Sequence, residues 1–360
     1  MPQTFRNDDS VLRARVQKVV EERRALGLEG LVGGLETVLV TVESERLESA
    51  AADFLNTTGY KFETALSYGP DRACVLTHPG SADFLFRTRT SGPKPFADEP
   101  LGPKSTHLPG TRVEAMVFLC RDLRRYVDIQ KKRGVRFLSD DIIRSDSWLF
   151  IQTAPSAYSA LSFGFVQWLG EPRRHVSNLS PKADWTLPKP DAPHLKNIGV
   201  FDHASVRVRA KDRDDAIVEF LELTGYEFSM AVYVDNLNSI TNVARLANEP
   251  YAMVITSGLG EAAAGQEGPT EMFIKNYGRR IHHLAFRTER IEDTFAGLKA
   301  QGMEFLLELV GSKEEGLKQT FSRPSKETLI VNEYIHRYEG FDGFFTKSNV
   351  TLLTEATAKQ

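Results

Sequence analysis

Apolar and polar residues along this chain follow two spacings, one typical of strands and one typical of helices. Residues 203–208 alternate between polar and apolar side chains, as a strand with one buried face does, whereas residues 9–26 carry Ala, Val and Leu at helical spacing among charged residues. Along each half of the chain these patterns predict the order strand, helix and several strands, twice over. The sequence therefore predicts four βαβββ-like modules, with one helix packed outside them.

A repeat in the sequence divides these modules into two halves. Thr-Gly-Tyr-Lys-Phe at residues 58–62 recurs as Thr-Gly-Tyr-Glu-Phe at residues 224–228, and residues 133–138 are echoed by residues 301–306. The copies are offset by 166 and 168 residues, and each follows an apolar helical stretch. Offsets this similar indicate that the two halves arose by duplication of one unit.

A segment that resists regular structure lies between the halves. Residues 172–197 contain five prolines, each of which lacks an N–H donor and fixes φ. We therefore expect an N-terminal helical extension at residues 1–28, two domains at residues 29–171 and 198–360, and a proline-rich linker at residues 172–197. The predicted fold class is α+β, with each domain built from paired βαβββ modules whose mixed sheets curve around a cavity.

Composition adds few constraints to this picture. The chain has 360 residues, 41% of them hydrophobic and 26% charged, and a formal net charge of -3, without the basic patch that would indicate nucleic acid. No apolar run reaches the length of a membrane span, and the polar first residues do not resemble a secretion signal. Two separated cysteines, Cys74 and Cys120, exclude a disulfide framework. We expect a cytoplasmic protein that binds neither nucleic acid nor membrane.

Three strand residues of the second half are candidate metal ligands. His203 lies on the polar face of its predicted strand, together with Ser205 and Arg207, and so points into whatever the sheet encloses. His283 lies in a second predicted strand that precedes a helix. Glu333 lies on an apolar strand face, where a carboxylate carries a heavy desolvation cost unless it is paired or bound to a cation.

Two other histidines are close to these residues in the sequence. By alternation along a strand, His282 and His283 are predicted to face opposite sides, and His336 is predicted to face away from Glu333. We therefore do not expect His282 or His336 to be ligands.

Two imidazoles and one carboxylate are the ligand set of non-haem iron(II), which occupies one face of an octahedron and leaves three positions open. Two open positions can accept a bidentate 2-oxo acid, and the third can accept O2. Zinc hydrolysis would tolerate the same ligands, but a chelating substrate needs the additional open positions. We therefore predict that His203, His283 and Glu333 bind Fe(II).

The first half lacks all three candidate ligands. The repeat offsets place Thr37 where His203 stands and Ala115 where His283 stands, and residues 159–169, the counterpart of the Glu333 strand, contain no Asp or Glu. Residues that serve only the core or the surface have no reason to appear together in one copy. The difference predicts a single functional site in the second half.

Six short segments of the second half carry a further signal when taken together. They are Phe-Asp-His at 201–203, Leu-Asn-Ser at 237–239, residues 281–286, Gln-Thr-Phe-Ser-Arg-Pro at 319–324, Glu-Tyr-Ile-His-Arg at 333–337 and Asp-Gly-Phe at 342–344. In these segments, and more weakly before residue 198, the chain resembles the family of 4-hydroxyphenylpyruvate dioxygenase and 4-hydroxymandelate synthase, in the vicinal oxygen chelate superfamily.

The resemblance implies a role for each matching residue. It implies iron bound by His203, His283 and Glu333. Around the metal it implies Gln319 near the bound keto acid, Ser239 in the pocket, Phe321 and Phe344 flanking the substrate, and Asn349 on a C-terminal helix that closes the site.

The chain also departs from the family at several positions. Residues 257–259, Ser-Gly-Leu, replace the family's Pro-x-Asn segment, and His282 stands where the family usually has Gln. In the family, the polar residues of that segment and a glutamine that has no clear equivalent near residues 268–273 organise the phenol end of the substrate. Their replacement by Leu259 and small residues implies a different side chain on the oxo acid. Leu259 is therefore a predicted substrate-binding residue, and so is Ser205, which shares the strand face of His203.

The function implied by the resemblance is that of an Fe(II)-dependent oxygenase. It would use O2 to decarboxylate and oxygenate 4-hydroxyphenylpyruvate or a related aryl- or alkyl-pyruvate, without separate 2-oxoglutarate. Three alternatives stay open: a side-chain hydroxylase of the 4-hydroxymandelate synthase type, an extradiol dioxygenase, and a non-enzymatic binding protein on the same scaffold. The expected partners are the small 2-oxo acid and O2, and a homo-oligomer is left open.

Overall fold

The structure, a computed structural model, describes residues 7–92, 94–247, 251–260 and 267–360. Residues 1–6 of the predicted N-terminal extension lie outside this part of the chain. Helix α1 (Asp9–Ala25) forms the rest of the extension, and the side chain of Asp8 caps it by accepting a hydrogen bond from the backbone N–H of Ser10.

Each half contains two successive modules of one strand, one helix and three strands. The first half comprises β1 (Val32–Thr41), α2 (Leu47–Thr57), β2 (Lys61–Tyr68), β3 (Asp71–Thr77), β4 (Asp83–Arg87), β5 (Arg112–Cys120), α3 (Leu123–Lys132), β6 (Ile143–Arg144), β7 (Trp148–Gln152) and β8 (Ser162–Trp168). The predicted linker supplies β9 (Lys182–Ala183), which pairs with β2, and a short 3-10 helix (Pro193–Asn197).

The second half repeats this order with one added helix between its modules and one after them. It comprises β10 (Ile198–Arg207), α4 (Arg213–Leu223), β11 (Glu227–Val234), β12 (Ser239–Arg245), β13 (Ala252–Ser257), α5 (Pro269–Tyr277), β14 (Ile281–Thr288), α6 (Ile291–Ala300), β15 (Val310–Ser312), β16 (Leu317–Phe321), β17 (Val331–Arg337) and α7 (Lys347–Thr357).

The two sheets have equivalent topologies. The first has the order β6-β7-β8-β5-β1-β4-β3-β2-β9, and the second has the order β11-β12-β13-β10-β14-β17-β16-β15. In each sheet the first strands of the two modules pair antiparallel at the centre, and each pairs in parallel with the last strand of its own module. The structure thus confirms the predicted α+β fold of paired βαβββ modules in curved mixed sheets.

The repeated Thr-Gly-Tyr motif connects the two halves reciprocally. In both copies the threonine hydroxyl donates to a carbonyl of the preceding helix at 2.7 Å. A side chain on Gly59 would overlap the carbonyl oxygen of Ile198, where β10 begins, and a Cβ on Gly225 would lie 2.8 Å from the carbonyl oxygen of Val32, where β1 begins. Each glycine therefore allows the first strand of the other half to approach closely.

The main apolar core lies between the two sheets. It includes residues of β1, β4, β5 and α2 from the first half and of β10, β14 and α4 from the second. Aromatic rings meet across the halves, with ring centroids 5.8 Å apart for Phe54 and Phe286 and 5.3 Å apart for Phe84 and Phe201. Smaller apolar clusters lie on the opposite face of each sheet. Each half therefore has its own concave face that can hold a site.

Helix α1 precedes the first half but packs against the second. The guanidinium of Arg23 donates to the backbone carbonyls of Leu221, Thr224 and Tyr226 at 2.7–3.2 Å. In the part of the chain that the structure describes, no helix combines the length and the apolar character needed to cross a membrane.

Candidate metal centre

Three neighbouring strands of the second sheet place the candidate ligands side by side. His203 on β10 lies opposite Ala285 on β14, and Ala285 lies opposite Glu333 on β17. Because Ala285 carries only a methyl group, the side chains of His203 and Glu333 can meet above it. His283 precedes Ala285 by two residues and therefore projects from the same face.

The three side chains converge within ligand distance of one another. Glu333 Oε2 lies 3.1 Å from His203 Nε2 and 3.2 Å from His283 Nε2. One ligand atom from each residue lies within 4.8 Å of the other two, and the exposed fractions of the three residues are 0%, 5% and 1% for His203, His283 and Glu333. Since metal–ligand bonds to nitrogen and oxygen are roughly 2.0–2.2 Å long, this donor set fits one divalent ion.

A buried carboxylate holds His203 from the side away from the cavity. Asp202 Oδ1 lies 2.8 Å from His203 Nδ1, which leaves Nε2 to face the cavity. Arg337 donates to both oxygens of Asp202 at 2.7 and 3.0 Å, and Arg287 donates at 3.0 Å. Burial alone would raise the pKa of Asp202, but Arg337 and His203 outweigh it and hold that pKa well below its usual range. A carboxylate in this position fixes the tautomer and orientation of a metal-binding imidazole.

The prediction that His282 and His283 face opposite sides of their strand is wrong. Along β10 and β14 the register shifts between Ser205, which pairs with His283, and Val206, which pairs with Ile281. His282 is therefore the extra residue of a β-bulge, which interrupts the alternation of side chains. As a result the Nδ1 atoms of His282 and His283 lie 2.8 Å apart.

His282 orients His283 much as Asp202 orients His203. His282 Nε2 lies 3.1 Å from Gln360 Oε1 and donates to it, which leaves Nδ1 of His282 to accept a hydrogen bond from Nδ1 of His283. His283 then presents an unprotonated Nε2 to the cavity. Burial, together with the nearby His282, His203 and Arg207, lowers the pKa of His283 well below its ordinary value, so this residue is neutral at pH 7.

His203 has the opposite pKa shift. Burial lowers the pKa of its imidazole, but the carboxylates of Glu333 and Asp202 outweigh burial and raise it above the ordinary value. The other histidine set aside in the sequence, His336, faces away from the three residues, and its Nδ1 lies 2.8 Å from the carbonyl oxygen of Thr288.

Two of the candidate ligands and several of the predicted pocket residues have buried polar atoms without a hydrogen-bond partner. In the described residues they include Ser239 Oγ, both amide atoms of Gln319 and of Asn349, His283 Nε2 and Glu333 Oε1. Buried polar groups almost always have a partner, so the unpartnered His283 Nε2 and Glu333 Oε1 indicate that a ligand belongs between them. The residues present thus fit a divalent cation with a polar molecule beside it.

A small cavity of about 30 Å³ lies between the sheet and helix α7. That volume has room for about two water molecules. Helix α7 and the loop before it supply the cover, and the ring centroid of Phe345 lies 5.2 Å from that of His203. The residues on the covering side are Phe345, Val350, Leu353 and Thr354.

Most of the predicted pocket residues lie around the candidate ligands. Phe321 has its ring centroid 4.7 Å from that of His283, and Phe344 has its ring centroid 5.5 Å from that of His203. Gln319 precedes Phe321 by two residues on β16 and so shares its face.

Of the remaining predicted residues, Ser205 is a direct strand neighbour of a candidate ligand, because it pairs with His283. Ser205 Oγ lies 3.3 Å from Thr256 Oγ1, and Ser239 begins β12. Asn349 lies in the first turn of α7, next to residues that line the cavity. Leu259 is placed apart, since its backbone N–H donates to Asn238 Oδ1 and its carbonyl accepts from the backbone N–H of Asn7, both at 2.9 Å.

Sequence reasoning missed several residues that line the cavity. Thr241 follows Ser239 by two residues on β12, so strand alternation could have identified it. Thr256 is brought in by the pairing of β13 with β10, and Phe345 by the position of α7, and neither has a local signal. Arg207 was placed on the His203 face but was given no role.

Comparisons with known proteins give a consistent result. No protein-family model matches the chain. The 4-hydroxyphenylpyruvate dioxygenase of Yarrowia lipolytica (strain CLIB 122 / E 150) is 24% identical over 270 residues, which are 70% of this chain and 65% of that protein. The match thus spans slightly less than two thirds of that relative's length.

Solved structures resemble the whole chain more extensively. A mutant of 4-hydroxymandelate synthase from Streptomyces coelicolor has a TM-score of 0.67 at 16% identity, over 90% of this chain and 98% of that one. A xylose isomerase-like TIM barrel/4-hydroxyphenylpyruvate dioxygenase fusion protein has a TM-score of 0.62 at 12% identity, over 97% and 58%. An Mn(II)-bound glyoxalase from Novosphingobium aromaticivorans has a TM-score of 0.50 at 11% identity, over 86% and 83%. The comparisons confirm the predicted resemblance, and the chain has the vicinal oxygen chelate fold.

Proposed function

We propose that this chain is an iron(II)-dependent oxygenase that uses O2 to decarboxylate and oxygenate a 2-oxo acid. The observation that carries the proposal is the convergence of two buried imidazoles and one buried carboxylate, among which His283 Nε2 and Glu333 Oε1 have no hydrogen-bond partner. Iron held there would supply the redox chemistry that O2 needs, with open positions for O2 and for the oxo acid. The likeness to a 4-hydroxyphenylpyruvate dioxygenase and to a 4-hydroxymandelate synthase supports the same reaction class.

The chain's own residues would prepare the ligand set before any substrate arrives. His203, His283 and Glu333 would hold the ion. Asp202 and His282 keep the two imidazoles in the tautomers that present Nε2 to the cavity. The site is therefore organised in advance, which reduces the cost of assembling it on metal binding.

Other residues would orient the substrate. Gln319, Ser239 and Asn349 have buried polar atoms without partners, and these can donate to or accept from the oxygens of a bound oxo acid. Phe321 lies against His283 and would form an apolar wall beside the substrate. None of these residues needs to change protonation state for that role.

Helix α7 would exclude water from the reaction. Its present position leaves a cavity of about 30 Å³, which is far too small for an oxo acid. Substrate must therefore displace Phe345 and part of α7, and closure afterwards would shield the reacting atoms from solvent.

Anaerobic reconstitution tests the proposal. The purified chain is treated with a chelator, reloaded with Fe(II) and mixed with a panel of 2-oxo acids that includes 4-hydroxyphenylpyruvate, while O2 uptake and CO2 release are measured. We expect one iron per chain and equimolar O2 uptake and CO2 release with at least one acid. Product analysis then distinguishes ring from side-chain oxygenation.

Two results would contradict the proposal. One is a chain that binds no stoichiometric Fe(II), as a non-enzymatic binding protein would. The other is O2 uptake with a catechol but no CO2 release from any oxo acid, as an extradiol dioxygenase would show. A His336→Ala variant serves as the matched control, because its imidazole lies outside the cavity and its removal should leave iron content unchanged.

A further inference from the structure

A buried arginine lines the candidate metal cavity. Arg207 follows His203 by four residues on β10, and only 3% of it is exposed. Its Nη1 donates to Thr270 Oγ1 at 3.2 Å and its Nη2 to Thr357 Oγ1 at 3.3 Å, while Nη2 also lies 3.4 Å from His282 Nδ1. Its Nε has no partner.

Arg207 has no carboxylate partner among the residues that the structure describes. Other buried arginines are compensated differently: Arg213 pairs with Asp9 and Asp214, and Arg280 donates to the backbone carbonyl of Thr111. The acceptors that Arg207 does have are the hydroxyl groups of Thr270 and Thr357, which are weaker than a carboxylate and can reorient.

The guanidinium nevertheless keeps its charge. Burial lowers the pKa of Arg207 to about 9, and Glu333 opposes that shift. At neutral pH the side chain is therefore a cation in a nearly dry cavity, a position that is costly unless an anion joins it.

The charges in the cavity indicate what that anion is. Glu333 contributes one negative charge, a divalent ion two positive charges and Arg207 one more. A 2-oxo acid with one carboxylate would leave net positive charge in the cavity. An acid with a second carboxylate would neutralise it.

We propose that Arg207 binds the second carboxylate of a 2-oxo diacid whose 2-oxo end occupies the metal, so that the substrate class is dicarboxylic. This inference rests on the proposed function. Thr241 and Thr256 add hydroxyl groups to a cavity whose other walls include the aromatic rings of Phe321 and Phe345.

The distance between the Arg207 guanidinium and the candidate metal position matches the length of a short diacid. Arg207 Nη2 lies 3.4 Å from His282 Nδ1, which lies 2.8 Å from His283 Nδ1. Adding the width of the His283 ring and a metal–nitrogen bond places the guanidinium within roughly 10 Å of the ion. A short-chain diacid such as 2-oxoglutarate can span that gap when extended.

Binding to the Fe(II)-loaded chain without O2 tests the inference. The probes are 2-oxoglutarate and 2-oxovalerate, which share a carbon chain but differ in the second carboxylate. Affinities are measured by calorimetry and by the absorption change that accompanies chelation of iron by an oxo acid. We expect 2-oxoglutarate to bind about 10–100-fold more tightly, as a buried hydrogen-bonded charge pair provides.

Variants separate recognition from a structural role. In Arg207→Gln the preference should fall to within about threefold through loss of 2-oxoglutarate affinity alone, and Arg207→Lys should retain part of it because the charge remains. Arg280→Gln, which removes another buried arginine, should keep the full preference. Thermal unfolding of each variant shows whether it is folded, and the Lys variant provides the test should the Gln variant not fold.

The outcomes distinguish this inference from the proposed function. Equal affinity for the two probes in the natural chain, or an equal loss for both in Arg207→Gln, overturns the role of Arg207 while the oxygenase proposal stands. If neither these probes nor 4-hydroxyphenylpyruvate changes the iron absorption, the proposed function fails, and this inference fails with it.

Discussion

The concave faces of the two sheets show what a duplicated scaffold supplies and what it does not. In the second half the row across the three central strands is His203, Ala285 and Glu333. The same row in the first half contains Thr37, Val117 and Gly164. Strand order and register are equivalent, so the difference lies entirely in the side chains. The fold provides a curved face, and individual substitutions decide whether that face binds a metal.

The buried carboxylate on the concave side of the first half has hydrogen-bond partners that Glu333 in the second half lacks. Glu114, which the 168-residue offset places where His282 stands, accepts hydrogen bonds from Thr41, Arg87, Arg89 and Gln152. Burial alone would raise the pKa of Glu114, but Arg87 and Arg89 outweigh it and lower that pKa to about 2. A carboxylate with so many partners has a structural role, whereas Glu333 keeps one oxygen without any.

The cavities on the two concave faces differ accordingly. The cavity on the first concave face has a volume of about 240 Å³, against about 30 Å³ for the cavity beside the candidate ligands. The larger cavity is lined mainly by apolar and aromatic side chains, among them Tyr68, Trp148, Phe150 and Trp168. A larger space is therefore not the better candidate for the reaction, because the chemistry needs donors and a cover rather than volume.

Removal of a candidate metal ligand from the second half should have the largest effect on Fe(II) binding. Each of His203→Ala, His283→Ala and Glu333→Ala should lower Fe(II) affinity by more than about a thousandfold, beyond the effect known for outer partners of metal ligands. Iron content after desalting checks this expectation. His336→Ala should retain one iron per chain. Unchanged iron in any of the three ligand variants would contradict the assignment.

Substitution of Asp202, the carboxylate that contacts His203 Nδ1, should have a smaller effect on Fe(II) affinity than removal of a ligand. Asp202→Asn should weaken Fe(II) binding by about 10–100-fold, because His203 loses the group that sets its tautomer. The equivalent residue of the first half is Glu36, which accepts from Trp168 Nε1 at 2.8 Å and from Arg173 at 2.6 Å and faces no metal. Glu36→Gln should leave iron affinity unchanged in a chelator competition assay. A similar loss in both variants would mean that the effect is general destabilisation.

Gly164 of the first half, which corresponds to Glu333, lies where neighbouring side chains are closely packed. A Cβ on Gly164 would lie 2.8 Å from Val117 Cγ2 and 3.1 Å from Phe150 Cε2. We expect Gly164→Ala to lower the free energy of unfolding by about 1–3 kcal/mol in a urea titration, as overpacking does. Gly170→Ala is the control, since a Cβ there would meet nothing within 4 Å. Equal stability of the two variants would show that the first sheet can accommodate a side chain at position 164.

A carboxylate at the contact between the halves makes their association sensitive to pH. Burial raises the pKa of Glu219 on α4 to about 7, while Ser156 of the first half donates a hydrogen bond to it. Because the folded pKa exceeds the unfolded one, this stabilisation is complete below about pH 4.5 and is lost as the pH rises through 7.

The expected size of this pH effect is on the order of 2 kcal/mol. Urea unfolding at pH 5.5 and 8.5 should show the natural chain losing more stability over that interval than Glu219→Gln. The exposed Glu227→Gln provides the control and should behave like the natural chain. Equal pH dependence in all three proteins would contradict the role of Glu219.

Much of this architecture could be predicted from the sequence because it depends on local pattern. Period-2 alternation placed His203 and Glu333 on the faces where the structure has them, and the repeat offsets of 166 and 168 residues agree with the pairing of Leu39 with Ala115 and of Ser205 with His283. Duplication allowed each half to serve as a reference for the other.

What could not be predicted depends on breaks in that pattern or on contacts distant in sequence. A β-bulge leaves no mark in the alternation of residues, so His282 was assigned to the wrong face. The covering of the cavity by Phe345 depends on where α7 packs, and the surroundings of Arg207 depend on contacts from α5, β14 and α7. The ligand assignments themselves stay predictions until iron binding is measured.

The paired glycines of the Thr-Gly-Tyr motif have a consequence for how this chain can be divided. Because Gly59 receives the start of β10 and Gly225 receives the start of β1, each half forms part of the other's boundary. Residues 198–360 expressed alone would expose the apolar surface that Phe54 and Phe84 now cover. The first half therefore covers apolar surface of the second, and residues 198–360 expressed without it should be insoluble.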